Sequence, residues 1–150
     1  MLMFRTSDFR GQVRNPVRIV DASGDELFQK LKRALPEVLK AHGVPAKVAE
    51  DVVKSGGMFG TKSPMLLVMH PNPPSSYFAM GFVVNDNLLS FVYLGESAQN
   101  TKMNMKKSLE SEGKHLRAAL IKPDEFLLQQ ENMWNNDVME AFDAMWEKVK

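Results

Sequence analysis

The sequence predicts an α+β domain, an antiparallel sheet of three to five strands packed by amino-terminal and carboxyl-terminal helices. Two observations carry that expectation. Apolar residues recur at helical spacing between residues 23 and 43 and again beyond residue 98, whereas residues 65–94 break into short apolar runs divided by turn residues. The chain has 150 residues, of which 44% are apolar and 25% charged. A single core suffices at that size, so residues 1–150 are read as one domain.

Residues 1–5 and 17–21 suggest short strands. Ser23, with Glu26 three residues on, forms the pattern of a capping box, and Leu27, Phe28, Leu31, Leu35, Val38 and Leu39 then share one helical face. Pro36 inside this stretch predicts a kink or two abutting helices, and Gly43 a left-handed cap. Pro45 then looks like the opening of a shorter helix, with Val44, Val48, Ala49, Val52 and Val53 on one face and Gly56 and Gly57 ending it.

The period then changes. Residues 65–70, 77–84 and 88–94 read as strands, and Asn85-Asp86-Asn87 as the turn of a central antiparallel hairpin spanning 77–94. With Val84 opposite Leu89, one face carries Phe82, Val84, Leu89, Phe91 and Tyr93, and the other Gly81, Val83, Leu88, Ser90 and Val92. Neither face is polar, so both need cover, from the chain's own helices or from a second copy; monomer and homodimer stay open. Beyond the sheet, residues 98–121 read as a helix weakened at Gly113, with a helical turn at Pro123-Asp124-Glu125. A last helix is expected after Asn135 or Asn136, seamed by Val138, Phe142, Met145 and Val149 beside Trp146.

The absence of cysteine excludes disulfide frameworks, thiolate metal sites and cysteine nucleophiles, and makes a cytoplasmic location the expectation. No apolar run has the length of a signal-peptide core or a membrane span, so no membrane association is expected.

A net charge of +1 hides a pattern. Arg5, Arg10, Arg14 and Arg18 against Asp8 make the first twenty residues +3. Lys102, Lys106, Lys107, Lys114, Arg117 and Lys122 against two glutamates make residues 98–122 +4, and seven acids against two lysines make residues 123–150 −5. Complementary pairing between packed elements explains such asymmetry, and so does a basic face.

Catalytic chemistry finds little purchase. SGGMFGTKS at residues 55–63 resembles a phosphate loop, but Thr61 separates Gly60 from Lys62 and a strand follows where a helix is required. It reads as a helix-to-strand connection. His42, His70 and His115 lie in separate elements without metal-ligand spacing. Ser75 and Ser76 near His70 would serve a small hydrolase only with a base and an oxyanion hole at hand. No catalytic, metal-ligating or cofactor-binding residue is assigned, and no cofactor is implied.

A binding or protein-interaction domain without catalysis is the better reading, its partner a protein or a small apolar ligand. The flexible thioethers of Met58, Met65, Met69, Met80, Met103 and Met105 suit such a lining. His70, Asn72, Tyr77, Phe91 and Tyr93 are the candidates for the binding surface, and the turn HPNPPSSY, whose prolines cannot join a strand ladder, sits among them. The alternative partner is nucleic acid, held by the amino-terminal arginines and by Lys102, Lys106, Lys107, Lys114 and Arg117 of the 98–121 helix. A sequence pI of about 8.0 and the lack of aromatics among these cations weigh against it.

Overall fold

A computed structural model describes residues 3–19, 23–56, 60–72, 79–94 and 98–149. Among them the order is β1 (Phe4–Arg5), a 3-10 turn (Thr6–Asp8), β2 (Phe9–Arg18), α1 (Gly24–Ala41), β3 (Lys47–Lys54), β4 (Lys62–Met69), β5 (Ala79–Asn85), β6 (Leu88–Leu94), α2 (Ala98–Ser111), α3 (His115–Leu120) and α4 (Glu125–Val149). The class is α+β as expected. The sheet, however, has six strands in the order β1-β3-β4-β5-β6-β2, and it is mixed, because β1 runs parallel to β3 while the other pairs are antiparallel.

Two of these differences have readable causes. Residues 47–53 of the stretch expected to be helical instead lie in β3. Val44, Val48 and Val52 recur every four residues, a spacing that satisfies a strand as well as a helix. The β-branched valines and an eight-residue ladder with β4 decide for the strand. The glycine-rich stretch at 55–63 therefore joins strand to strand, with Ser55 N–H donating to the Thr61 carbonyl at 2.9 Å. β2 starts eight residues before the expected strand at 17–21. Its register slips against β6 at three places, which erases the alternation by which a strand is recognised.

The central hairpin has the expected register, with Val84 opposite Leu89 and Phe82 opposite Phe91, and Asp86 takes left-handed angles in its turn. β4 and β5 also pair antiparallel, Met69 opposite Ala79, so HPNPPSSY connects two strands; residues 73–78, Tyr77 among them, lie outside the described residues.

The helices divide differently from the expectation. α1 is a single helix through Pro36, capped by Ser23 Oγ accepting from Glu26 N–H at 3.2 Å. At its end, Gly43 (φ +69°) donates to Lys40 and Val44 to Leu39, the paired bonds of a Schellman cap. Gly113 (φ +77°) makes the same motif with Glu110 while Lys114 bonds Leu109. Gly113 thus ends α2, and 98–121 is two helices. α4 runs unbroken for 25 residues, Asn135 and Asn136 inside it, from an Asp124 cap whose Oδ1 accepts Leu127 N–H at 3.1 Å.

One face of the sheet is covered by α1 and α4. Phe82, Phe91 and Phe142 meet edge to face with centroids 5.0–5.4 Å apart, and Trp146 stacks on Phe142 at 5.3 Å. Burying these aromatics, with Leu27, Phe28, Leu31 and Leu35 of α1, is the main hydrophobic gain of the fold.

The opposite face is covered by the sheet itself. β1 and β2 occupy its two edges, about 24 Å apart in a flat six-stranded sheet. Only Thr6–Asp8 joins them, and even fully extended that link reaches no more than about 14 Å. The sheet must therefore curl. Arg5 lies beside Lys54 and Phe9 beside Leu94, at opposite ends of the strands, so the curl closes diagonally, as the stagger of a barrel requires. Phe4 and Phe9 then cover an inner cluster of Val53, Met65, Leu67, Val83, Val92 and Leu94. Gly81 makes room for it: a Cβ there would stand 2.6 Å from Met65 Sδ.

Candidate functional site

The expected binding-surface residues are divided between two places. His70 is half-buried at the end of β4. Its Nδ1 accepts Asn72 N–H at 3.1 Å, and its ring lies 6.0 Å from Trp134, whose Nε1 donates to the Pro45 carbonyl at 2.8 Å. His70 and Asn72 thus form a local turn docked on α4. Ser75 and Ser76, the hydroxyls of the hydrolase reading, lie outside the described residues, as does Tyr77.

Tyr93 is half-buried beneath Arg10, whose guanidinium stands 4.8 Å from the ring centroid and 3.2 Å from the buried carboxylate of Glu131. Phe91 is fully buried in the aromatic cluster and offers no surface. Arg14, 5.7 Å over its ring, binds Asp143 through both guanidinium nitrogens at 2.7 and 3.1 Å. The methionines do not line one surface either: Met65 belongs to the inner cluster and Met80 to the helix-covered core, while Met58 lies outside the described residues.

These contacts answer the charge pattern in part. Arg10 and Arg14 pair with Glu131 and Asp143, so two amino-terminal cations clamp β2 to the acidic α4. Arg18 reaches Asn87 Oδ1 at 3.3 Å. These arginines therefore do not form a free basic ridge. Glu131 and Trp134 escaped the sequence reading, although their spacing with Val138, Phe142 and Met145 continues the α4 seam one turn upstream.

The cations of residues 98–122 behave otherwise. α2 packs on α3 and on α4, forming a helical arm, and Lys106 Nζ closes it by donating to the Ile121 carbonyl at 3.4 Å. Lys114 pairs with its neighbour Glu112 at 3.2 Å. Lys102, Lys106, Lys107, Arg117 and Lys122 make no ion pair among the described residues. α3 docks through Ala118, its one buried residue, and that docking turns Leu116 and Leu120 outward, 88% and 82% exposed and one helical turn apart. Phe126, at the start of α4, is 65% exposed, and Met105 of α2 is exposed as well.

The arm thus joins exposed leucines to unpaired cations, and residues 98–122 contain no Phe, Tyr or Trp for stacking on bases. Among the described residues there is no cluster of His, Asp and Glu able to hold a metal ion, and no helix long and apolar enough to cross a membrane. Comparison with known proteins returned no matching family model, no matching curated protein and no matching solved structure.

Proposed function

We propose that this protein is a cytoplasmic, non-catalytic protein-interaction domain whose contact surface is the α2–α3 arm. The observation that carries the reading is the pair Leu116 and Leu120, large apolar side chains held in water on an element that adds little to the core. Apolar surface displayed beside charge marks a contact site, and the net +4 of residues 98–122 suits a partner segment that mixes acidic with apolar side chains. His70, Asn72 and Tyr93 serve the scaffold in this reading, and a cytoplasmic location agrees with the absence of cysteine.

Nucleic acid is the second reading, favoured by the cations that lack an ion pair, Lys102, Lys106, Lys107 and Arg117. The outward leucines count against it, because phosphate contacts need no apolar surface.

A photo-crosslinking residue at Ala119 of the full chain, activated in cells, separates the readings. Discrete protein adducts are expected, and they should vanish in Leu116→Ser/Leu120→Ser. RNA or DNA adducts would favour the second reading. No adduct, or the same adducts from the double variant, would overturn both the arm and its leucines as a binding surface.

A further inference from the structure

The curl of the sheet leaves a cavity of about 310 Å³ where the link between β1 and β2 crosses the inner face. Its floor is apolar, made by Val53, Val83 and Val92, with Phe9 at the side. Three polar residues stand together above that floor on adjacent strands. Ser63 of β4 and Asn85 of β5 fall at the same level, two residues beyond the pair Met65–Val83, and Ser90 of β6 lies opposite Val83. Gln12 adds a carboxamide from β2.

Asn85 is exposed and Ser90 half-buried, as polar side chains at a cavity mouth ordinarily are, but packing alone does not account for Ser63. The buried cluster beside it is valine, leucine and methionine, and a serine inside a strand loses water without filling space. Ser63 is 6% exposed, lines the cavity and has no side-chain hydrogen bond among the described residues. With no protein partner among the described residues, that hydroxyl is available to a ligand in the cavity.

The lining also indicates the ligand's chemistry. Among the described residues it contains no Asp, Glu, Lys, Arg or His, so a charged molecule would lose water there without an opposite charge to meet it. Asp51 lies on the same face, but it does not line the cavity, and its Oδ1 accepts the N–H groups of Met3 and Val52 at 2.9 and 2.8 Å. Hydroxyls and carboxamides both donate and accept, so they match an edge on which donors and acceptors alternate. We propose that this cavity binds a neutral, ring-sized organic molecule that presents an amide-like edge to Ser63, Asn85 and Ser90 and lays its apolar side on the valine floor. The site is separate from the helical arm and stands or falls independently of it.

Three near-isosteric probes test the proposal on the intact, ¹⁵N-labelled chain: neutral benzamide, anionic benzoate and cationic benzamidine. At millimolar concentration benzamide is expected to shift the amide resonances of Ser63, Val83, Asn85 and Ser90. Both charged probes should bind at least about tenfold more weakly, and Ser63→Ala should weaken benzamide severalfold to about tenfold. Ser90→Leu, which fills the cavity, should abolish the shifts while the rest of the spectrum keeps its dispersion. If that variant does not fold, Gln12→Ala, at an exposed position, is expected to weaken benzamide severalfold. Unmoved resonances at the four positions, comparable binding of all three probes, or shifts confined to the arm would overturn the assignment.

Discussion

Replacing Gly81 by alanine tests the packing of the curled face directly. The added Cβ would stand 2.6 Å from Met65 Sδ, 3.1 Å from Val92 Cγ2 and 3.3 Å from Leu94 Cδ1. Comfortable contact needs about 3.5–4.0 Å, so the sulfur must retreat by about an ångström in a side chain with no exposed surface. Overpacking of this kind costs about 1–3 kcal/mol. Gly81 is not in the left-handed region, so alanine also gains about 0.4–1 kcal/mol by restricting the unfolded chain. The net expectation is a loss of about 1–2 kcal/mol.

Met65→Ala alone should lose about 2–5 kcal/mol to an unfilled cavity. In the double variant the new Cβ occupies part of that space. The two losses should therefore fall short of additivity by about 1 kcal/mol, as expected of residues in contact. Urea unfolding followed by the fluorescence of Trp134 and Trp146 gives each value by linear extrapolation. A neutral or stabilising Gly81→Ala, or strict additivity with Met65→Ala, would refute the close approach on which the curl depends.

Two further outcomes follow from the same packing. Phe142→Ala removes the ring that touches Phe82, Phe91 and Trp146, and should cost about 3–5 kcal/mol with a change in Trp146 emission; a loss below about 1 kcal/mol would mean that α4 is not docked as described. Leu116→Ser/Leu120→Ser should change stability by no more than about 0.5 kcal/mol per site in the same assay, because neither side chain is buried; a larger loss would place α3 in the core.

The contrast between those variants reflects what could be read in the sequence. Leu27 to Leu39 and the hairpin around Asp86 were legible because helix period, cap and turn chemistry are local. β3 was not, since a four-residue repeat fits both periods and only the ladder with β4 breaks the tie. Gly113 was visible as a weak point but not as a terminus, because its cap depends on backbone angles. The cations of the arm were legible as a cluster, whereas the fate of the other basic segment was not: Arg10 and Arg14 find their partners 121 and 129 residues away. The cavity lay beyond sequence reading for a similar reason. Ser63, Asn85 and Ser90 become neighbours only when three strands are in register and the link at Thr6–Asp8 has bent the sheet over them.

Two-residue β1 has a consequence for how this molecule behaves in a crowd. It pairs only with Val53 and Lys54, so the outward amides and carbonyls of residues 47–52 run along β3 with no neighbouring strand among the described residues. An uncovered edge of that length is a template on which another chain's strand can grow. Here it is blunted by Lys47 at its open end and by the inward carboxylate of Asp51, which accepts Met3 N–H and holds Met3 beside the inner face. Met3, Phe4 and Arg5 thus cover part of that edge, and their disruption is expected to show first as self-association at high concentration, before any loss of the helix-covered core.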